Sequence, residues 1–141
     1  MHIHDILQTK GTDVVVIDPE ASVSDLVALL RRHNLGAVVV STDGRTVAGI
    51  VTERDVVRGL ADGPALLDAP VSAVMTREVH VCHPQDPVQA LMSTMTERRI
   101  RHLPVVDGGR MVGIVSIGDV VKSQITQLEF ERDQLQGYLS G

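Results

Sequence analysis

A mixed α/β (α+β) fold of two pseudo-symmetric β-α-β-β-α units, followed by an amphipathic C-terminal helix, is predicted for this chain of 141 residues. Three observations predict it. The segment Gly49-Ile50-Val51-Thr52-Glu53-Arg54-Asp55-Val56-Val57 returns as Gly113-Ile114-Val115-Ser116-Ile117-Gly118-Asp119-Val120-Val121, a shift of 64 (119 − 55 = 64). A shift of 65 superimposes Pro19 on Pro84 (84 − 19 = 65), Val23 on Val88, Leu26 on Leu91, Leu30 on Met95 and Leu35 on Ile100. The signals for strand, helix, strand, strand and helix then run in the same order through both halves.

The first strand is the apolar run 14–17, ended by Asp18-Pro19. Ser22 and Asp25 make a capping box ahead of Val23, Leu26, Val27 and Leu30, whose spacing is that of one helix face. Leu35-Gly36 closes this helix, 37–40 is a second strand, and Thr42-Asp43-Gly44 supplies turn chemistry before a third strand at 47–51. Thr52 opens the next helix. The other half repeats the order with a strand at 79–82, a helix opened by Asp86-Pro87, a strand at 103–106, a turn at Asp107-Gly108-Gly109 and a strand at 111–115. Proline just inside a helix start is well placed, since its missing N–H would have had no helical partner.

Asp62-Gly63-Pro64 and Asp68-Ala69-Pro70 punctuate a linker. The run 71–76 matches 3–8 once a three-residue difference at Lys10-Gly11-Thr12 is allowed, so each half begins with a lead-in segment. The chain thus divides into a first repeat 1–62, a linker 63–70, a second repeat 71–123 and an extension 124–141. From the end of the second repeat into the extension, Val121, Ile125, Leu128, Leu135 and Leu139 recur at steps of four and three, with Arg132 at one seam position, which is the pattern of a long amphipathic helix. Such a helix either folds back on its own core or contributes to a dimer interface.

A unit of about 60 residues alone would be marginal, because small chains bury too little apolar surface. The halves are therefore expected to pack face to face as one unit. The formal charge of −5 argues against a general nucleic-acid binder, which neutralises phosphates with clustered Lys and Arg. The only tyrosine, Tyr138, and the only phenylalanine, Phe130, lie in the extension, so neither repeat offers a platform for stacked bases. The single cysteine, Cys82, excludes an intramolecular disulfide and suits a reducing compartment. No apolar run approaches the roughly 18 residues of a membrane span, and the N-terminus lacks signal-peptide features, so a cytoplasmic protein without a membrane role is expected.

The chemistry concentrates in the duplicated hydroxyl and aspartate. Thr52 and Ser116 each stand where an apolar strand hands over to a helix, so free N–H groups and the positive end of the helix dipole converge there. A carboxylate one turn on, at Asp55 or Asp119, can accept hydrogen bonds from paired hydroxyls such as those of a ribose. The same Thr-x-x-Asp spacing is close to a capping box, which starts a helix and binds nothing. Spacing leaves both readings open.

Two copies of Gly-Ile-Val-[Thr/Ser]-x-x-Asp-Val-Val, each behind an apolar strand and a glycine turn, with Arg101-His102-Leu103-Pro104-Val105-Val106 in the second copy, resemble a tandem pair of cystathionine-β-synthase (CBS) domains, a Bateman module. The resemblance spans roughly residues 1 to 122. It implies two sheets packed about a pseudo-twofold axis, with two clefts between the halves that bind adenosine compounds: AMP, ADP, ATP and, in some members, S-adenosylmethionine or NAD. It further implies that Asp55 and Asp119 hold ribose hydroxyls while Thr52 and Ser116 face phosphate. Asp119 would work with Lys10, Gly11, Val15, Gly36 and Ala37, and Asp55 with Thr76, Val79, His80, Arg101 and His102. The halves differ where the second has Arg101-His102 and the first the uncharged Gly36-Ala37. Helix-dipole balance accounts for Arg98 and Arg99, but not for a pair at a strand entry.

The function expected from the resemblance is a regulatory module that binds adenine nucleotides and signals occupancy to a partner protein, as a homodimer. A ligand-independent dimerisation scaffold is the alternative from another class. An enzyme is not expected, because no Walker loop or nucleophile elbow appears and Cys82-His83 adjacency is not catalytic geometry. Nor is a metal site expected: His2, His4, His80 and His83 lack a partner set at zinc spacing.

Overall fold

Helix α1 (Ile3–Lys10) begins the computed structural model, which describes residues 1–140. It buries Ile3, Ile6 and Leu7, the one-face spacing of a short amphipathic helix, and stops at Gly11, whose φ of 100° suits glycine. The first half continues with β1 (Val16–Ile17), α2 (Val23–His33), β2 (Ala37–Val40), β3 (Gly49–Thr52) and α3 (Glu53–Leu60). The second half has α4 (Val88–Arg98), β4 (His102–Asp107), β5 (Arg110–Ser116) and α5 (Ile117–Ser140).

Local chemistry explains most boundaries. The Asp25 N–H donates to Ser22 Oγ at the start of α2, which buries Val23, Leu26 and Leu30 and ends at Asn34 in the left-handed conformation. β2 runs parallel to β1 and antiparallel to β3. All four of its residues are buried, so both faces are covered, and Val38 and Val40 belong to the core of the first half. Gly108 and Gly109, both at positive φ, turn β4 into β5.

Two sequence expectations are corrected in the second half. Residues 79–82 form no strand; Cys82 alone makes a parallel bridge, to Val105. The reason is Pro104, which stands where the first half has Val39. Its carbonyl accepts from the Cys82 N–H, so its nitrogen faces the same incoming segment and has no hydrogen to give. The ladder ends after one rung, and Val79 and His80 are left outside it. Pro87 stands at the N-cap of α4 rather than inside the helix, and the Asp86 carboxylate accepts from the His83 N–H instead of capping α4.

The halves do not share one core. Each lead-in crosses to the opposite half. Ile3, Ile6 and Leu7 pack with Val88, Leu91, Met95, Leu103 and Val115 of the second repeat. Val71 packs with Val23, Leu26 and Val51 of the first, joined by Leu66 and Leu67 from within the expected linker, where a 3-10 turn covers Pro64–Asp68. The backbone repeats the exchange bond for bond. Ile3 N–H donates to Asp86 O, and Val88 N–H to Met1 O; in the other half Val71 N–H donates to Ala21 O, and Val23 N–H to Ala69 O. The duplicated Gly of Gly-Ile-Val is where each lead-in docks. A Cβ on Gly49 would meet Met75 Sδ at 2.8 Å and the Thr76 carbonyl oxygen at 2.9 Å, and one on Gly113 would meet Leu7 Cδ2 at 2.7 Å.

α5 has 24 residues and touches α1, α4 and β5 only over its first turns, where Val120 is buried. From Leu128 to Ser140 every residue is exposed, so within one chain the helix does not fold back on its core. No helix among the described residues is long and apolar enough to cross a membrane.

Candidate functional site

β3 ends at Thr52, and the N-terminus of α3 opens there. The Asp55 N–H donates to Thr52 Oγ1 (3.2 Å), while Asp55 Oδ2 accepts from the Thr52 N–H (2.8 Å) and its hydroxyl (3.1 Å). The capping box is therefore complete, and it uses one carboxylate oxygen. Among the described residues Asp55 Oδ1 has no partner, so the aspartate can cap the helix and still accept from a ligand hydroxyl.

That carboxylate opens onto a cavity of about 300 Å³, the low end of the usual range for small-molecule sites. Both halves build it. The first supplies Gly36 and Ile50 with Thr52, Glu53, Arg54 and Asp55; the crossed-over segment supplies Thr76, Glu78, Val79 and His80; the approach to β4 supplies Arg99, Ile100, Arg101 and His102. Thr76 is held against β3 by a reciprocal pair of backbone bonds with Ile50, 3.0 and 2.8 Å long. The end of the ladder at Cys82 leaves Val79 and His80 free to line the wall.

Of the sequence-derived residues, Thr52, Asp55, Thr76, Val79, His80, Arg101 and His102 come together in this one cavity. Gly36 joins them; a Cβ there would lie 3.6 Å from both His102 Cε1 and Glu53 Oε1. Lys10 and Asp119 sit elsewhere. Lys10 Nζ bonds Asp119 Oδ2 at 2.6 Å and the Ile114 carbonyl at 2.7 Å, and both residues edge a second cavity of about 240 Å³ between α1 and α5. Ser116 forms the same capping box with Asp119 that Thr52 forms with Asp55. Gly11 ends α1, Val15 precedes β1, and Ala37 is buried opposite Thr52 in the sheet; none of these lines either cavity.

Charges balance in the larger cavity, where Arg54, Arg99 and Arg101 stand against Glu53, Asp55 and Glu78. Burial lowers the His102 pKa below its usual 6.5, and the nearby Lys10 and Arg101 cations add to this against Asp119 and Glu53, so the ring is a neutral hydrogen-bonding group at pH 7. Burial also opposes ionisation of Asp119, but hydrogen bonds from Lys10 and Ser116 outweigh it and hold the carboxyl below its ordinary range. Cys82 is pushed up to about 12 by burial and by Asp86, which leaves an unreactive thiol.

Sequence reasoning missed Ile50, Glu53, Arg54, Glu78, Arg99 and Ile100 as cavity residues. For Arg99 a signal existed. It aligns with Asn34 at a shift of 65, and both adopt the left-handed conformation, φ 54° and 53°. Asparagine tolerates that conformation, whereas arginine is seldom found there. Helix-dipole balance accounts for its charge but not for its backbone.

Comparison with known proteins places this architecture. The CBS domain profile matches residues 3–62 and 71–125. The CBS domain-containing protein CBSX3, mitochondrial, of Arabidopsis thaliana is 34% identical over 148 residues, covering 99% of this chain and 72% of that protein. The crystal structure of a CBS-domain-containing protein of Agrobacterium tumefaciens is 43% identical, with a TM-score of 0.85 over 88% of this chain and 99% of that one. The CBS domain pair of protein MJ0100, crystallised with 5′-methylthioadenosine and S-adenosyl-L-methionine, is 25% identical, with a TM-score of 0.79 over 90% of this chain and 98% of that one.

Proposed function

Because the chain belongs to the CBS-domain family, with two repeats in tandem, we propose that it is a regulatory module that binds an adenosine compound beside Asp55 and passes occupancy to a partner protein. The observation that carries this reading is the cavity of about 300 Å³ built from both repeats and lined by Asp55, one of whose carboxylate oxygens has no partner among the described residues. Asp55 Oδ1 accepts from a ribose hydroxyl; the positive end of the α3 dipole, with Arg101 and His102, receives a phosphate. Aliphatic groups of Ile50, Val79 and Ile100 pack against the base. The adenosine ligands of the MJ0100 domain pair support the same class of ligand here.

AMP, ADP and ATP are the ligands of this reading, with NAD and S-adenosylmethionine as alternatives. Three arginines against three carboxylates favour AMP, with its low charge, over ATP. A ligand touching both halves favours one relative arrangement of them, and a partner that binds one arrangement better reads the occupancy. The module acts as a dimer through α5 and carries no catalysis of its own.

Titration calorimetry with AMP, ADP, ATP, NAD and S-adenosylmethionine tests the reading on the wild type and on Asp55→Ala. Loss of the cap lowers stability by about 1 kcal/mol, so each variant is melted alongside. Binding by the wild type and its loss in a folded Asp55→Ala supports the site. Equal binding by both would leave Asp55 as a cap alone, and no binding of any of the five down to millimolar affinity defeats the proposal.

A further inference from the structure

The two capping boxes are alike and their surroundings are not. Asp55 and Asp119 each cap a helix through Oδ2, each with Oδ1 free of partners among the described residues. Each helix start is also tied to the residue before the middle strand, Glu53 N–H to Gly36 O and Ile117 N–H to Arg101 O. The lead-ins, however, meet the strand edge differently. In the first half the Thr76 backbone N–H donates to the Ile50 carbonyl. In the second half the equivalent carbonyl, of Ile114, accepts from the Lys10 ammonium, which also bonds Asp119 Oδ2. Lys10 can do this because α1 carries the first lead-in as helix up to residue 10, whereas the second makes only a short 3-10 turn, Val71–Ala73, before Thr76 runs along β3.

We propose that the Lys10 ammonium is a built-in occupant of the Asp119 cleft, so that the chain binds one adenosine ligand, beside Asp55, and not two. The inference rests on the function proposed above and assigns its stoichiometry. Lys10 places a charge-assisted bond on the partly buried Asp119 carboxylate, and the carboxylate neutralised in this way is a poorer acceptor for a ribose hydroxyl at its remaining oxygen. The residues flanking the second box add to the asymmetry: Ile117 and Gly118 stand where the first half has Glu53 and Arg54, so polar side chains at the helix start are missing.

AMP is titrated into the wild type and into Lys10→Met, which keeps an unbranched stem without its charge; Lys10→Gln is the second variant should Lys10→Met fold poorly. The expected result is one site per chain in the wild type and two in the variant. Adding Asp55→Ala to the variant should return it to one. Two sites in the wild type, or one site in both Lys10 variants, would overturn the inference and leave the Asp55 site standing. No binding by the wild type would remove that site and this inference together.

Discussion

Arg99 holds a left-handed backbone at the wall of the cavity, with φ 54°, where its counterpart in the first half is an asparagine. A left-handed conformation costs an ordinary residue about 1 kcal/mol, and strain of this kind often persists where a side chain is needed for binding. Arg99→Asn should therefore raise the unfolding free energy by a few tenths to about 1 kcal/mol while weakening AMP binding severalfold. Denaturant melts and calorimetry on the one variant check both halves of the trade; tighter binding would contradict it. His102 supplies a pH signature. Its folded-state pKa lies below 6.5, so the unfolded chain binds more protons and this residue's contribution to stability falls as pH drops through 6.5. A phosphate beside the ring raises that pKa, so binding takes up a proton and affinity rises as pH falls toward 6.5. Binding heats that vary with the ionisation enthalpy of the buffer would verify it, and buffer-independent heats would argue against it. The doubled aspartate was legible in the sequence because its motif is contiguous. Glu78, Arg54 and Ile100 were not, because their place in the wall depends on where three separate segments meet.

At the scale of elements, the exchange of lead-ins determines how the halves are joined. Burying Ile3, Ile6 and Leu7 in the second repeat contributes roughly 2 kcal/mol for each side chain, so neither repeat is complete without residues from the other. The docking glycines are the sensitive points. Gly49→Ala drives a methyl toward the Thr76 carbonyl, part of a paired backbone that cannot rotate away, whereas Gly113→Ala meets only the end of the Leu7 side chain. Gly49→Ala should destabilise by about 1–3 kcal/mol and exceed Gly113→Ala in urea melts; the reverse order would show that β3 and Thr76 separate easily. The sequence revealed the lead-ins through the match of 3–8 with 71–76, but not their crossing, since apolar periodicity names a buried face without naming what covers it. The missing strand at 79–82 has a similar origin: the apolar run was visible, and the absent donor at Pro104 acts on it from a distant part of the chain.

For the whole molecule, α5 is the unfinished part. Its apolar stripe stays exposed, Leu128 at 61% and Leu139 at 88%, along a stretch in which every residue from Leu128 to Ser140 is exposed. A free stretch of about a dozen residues is marginal as an isolated helix in water. The steps of four and three from Val121 to Leu139 suit a second copy of the same helix. Sedimentation of the chain truncated after residue 127 should show monomer where the full chain shows dimer, and an unchanged dimer would assign the contact to the repeats. The sequence alone determined the duplication, the order of elements apart from the strand expected at 79–82, and the residues of the capping boxes, because periodicity, caps and turns act within a few positions of one another. The tertiary structure decided which lead-in covers which core, that one cleft gathers arginines and carboxylates around Asp55, and that Lys10 reaches Asp119 in the other, since these contacts join residues far apart in the chain whose approach depends on how the halves pack.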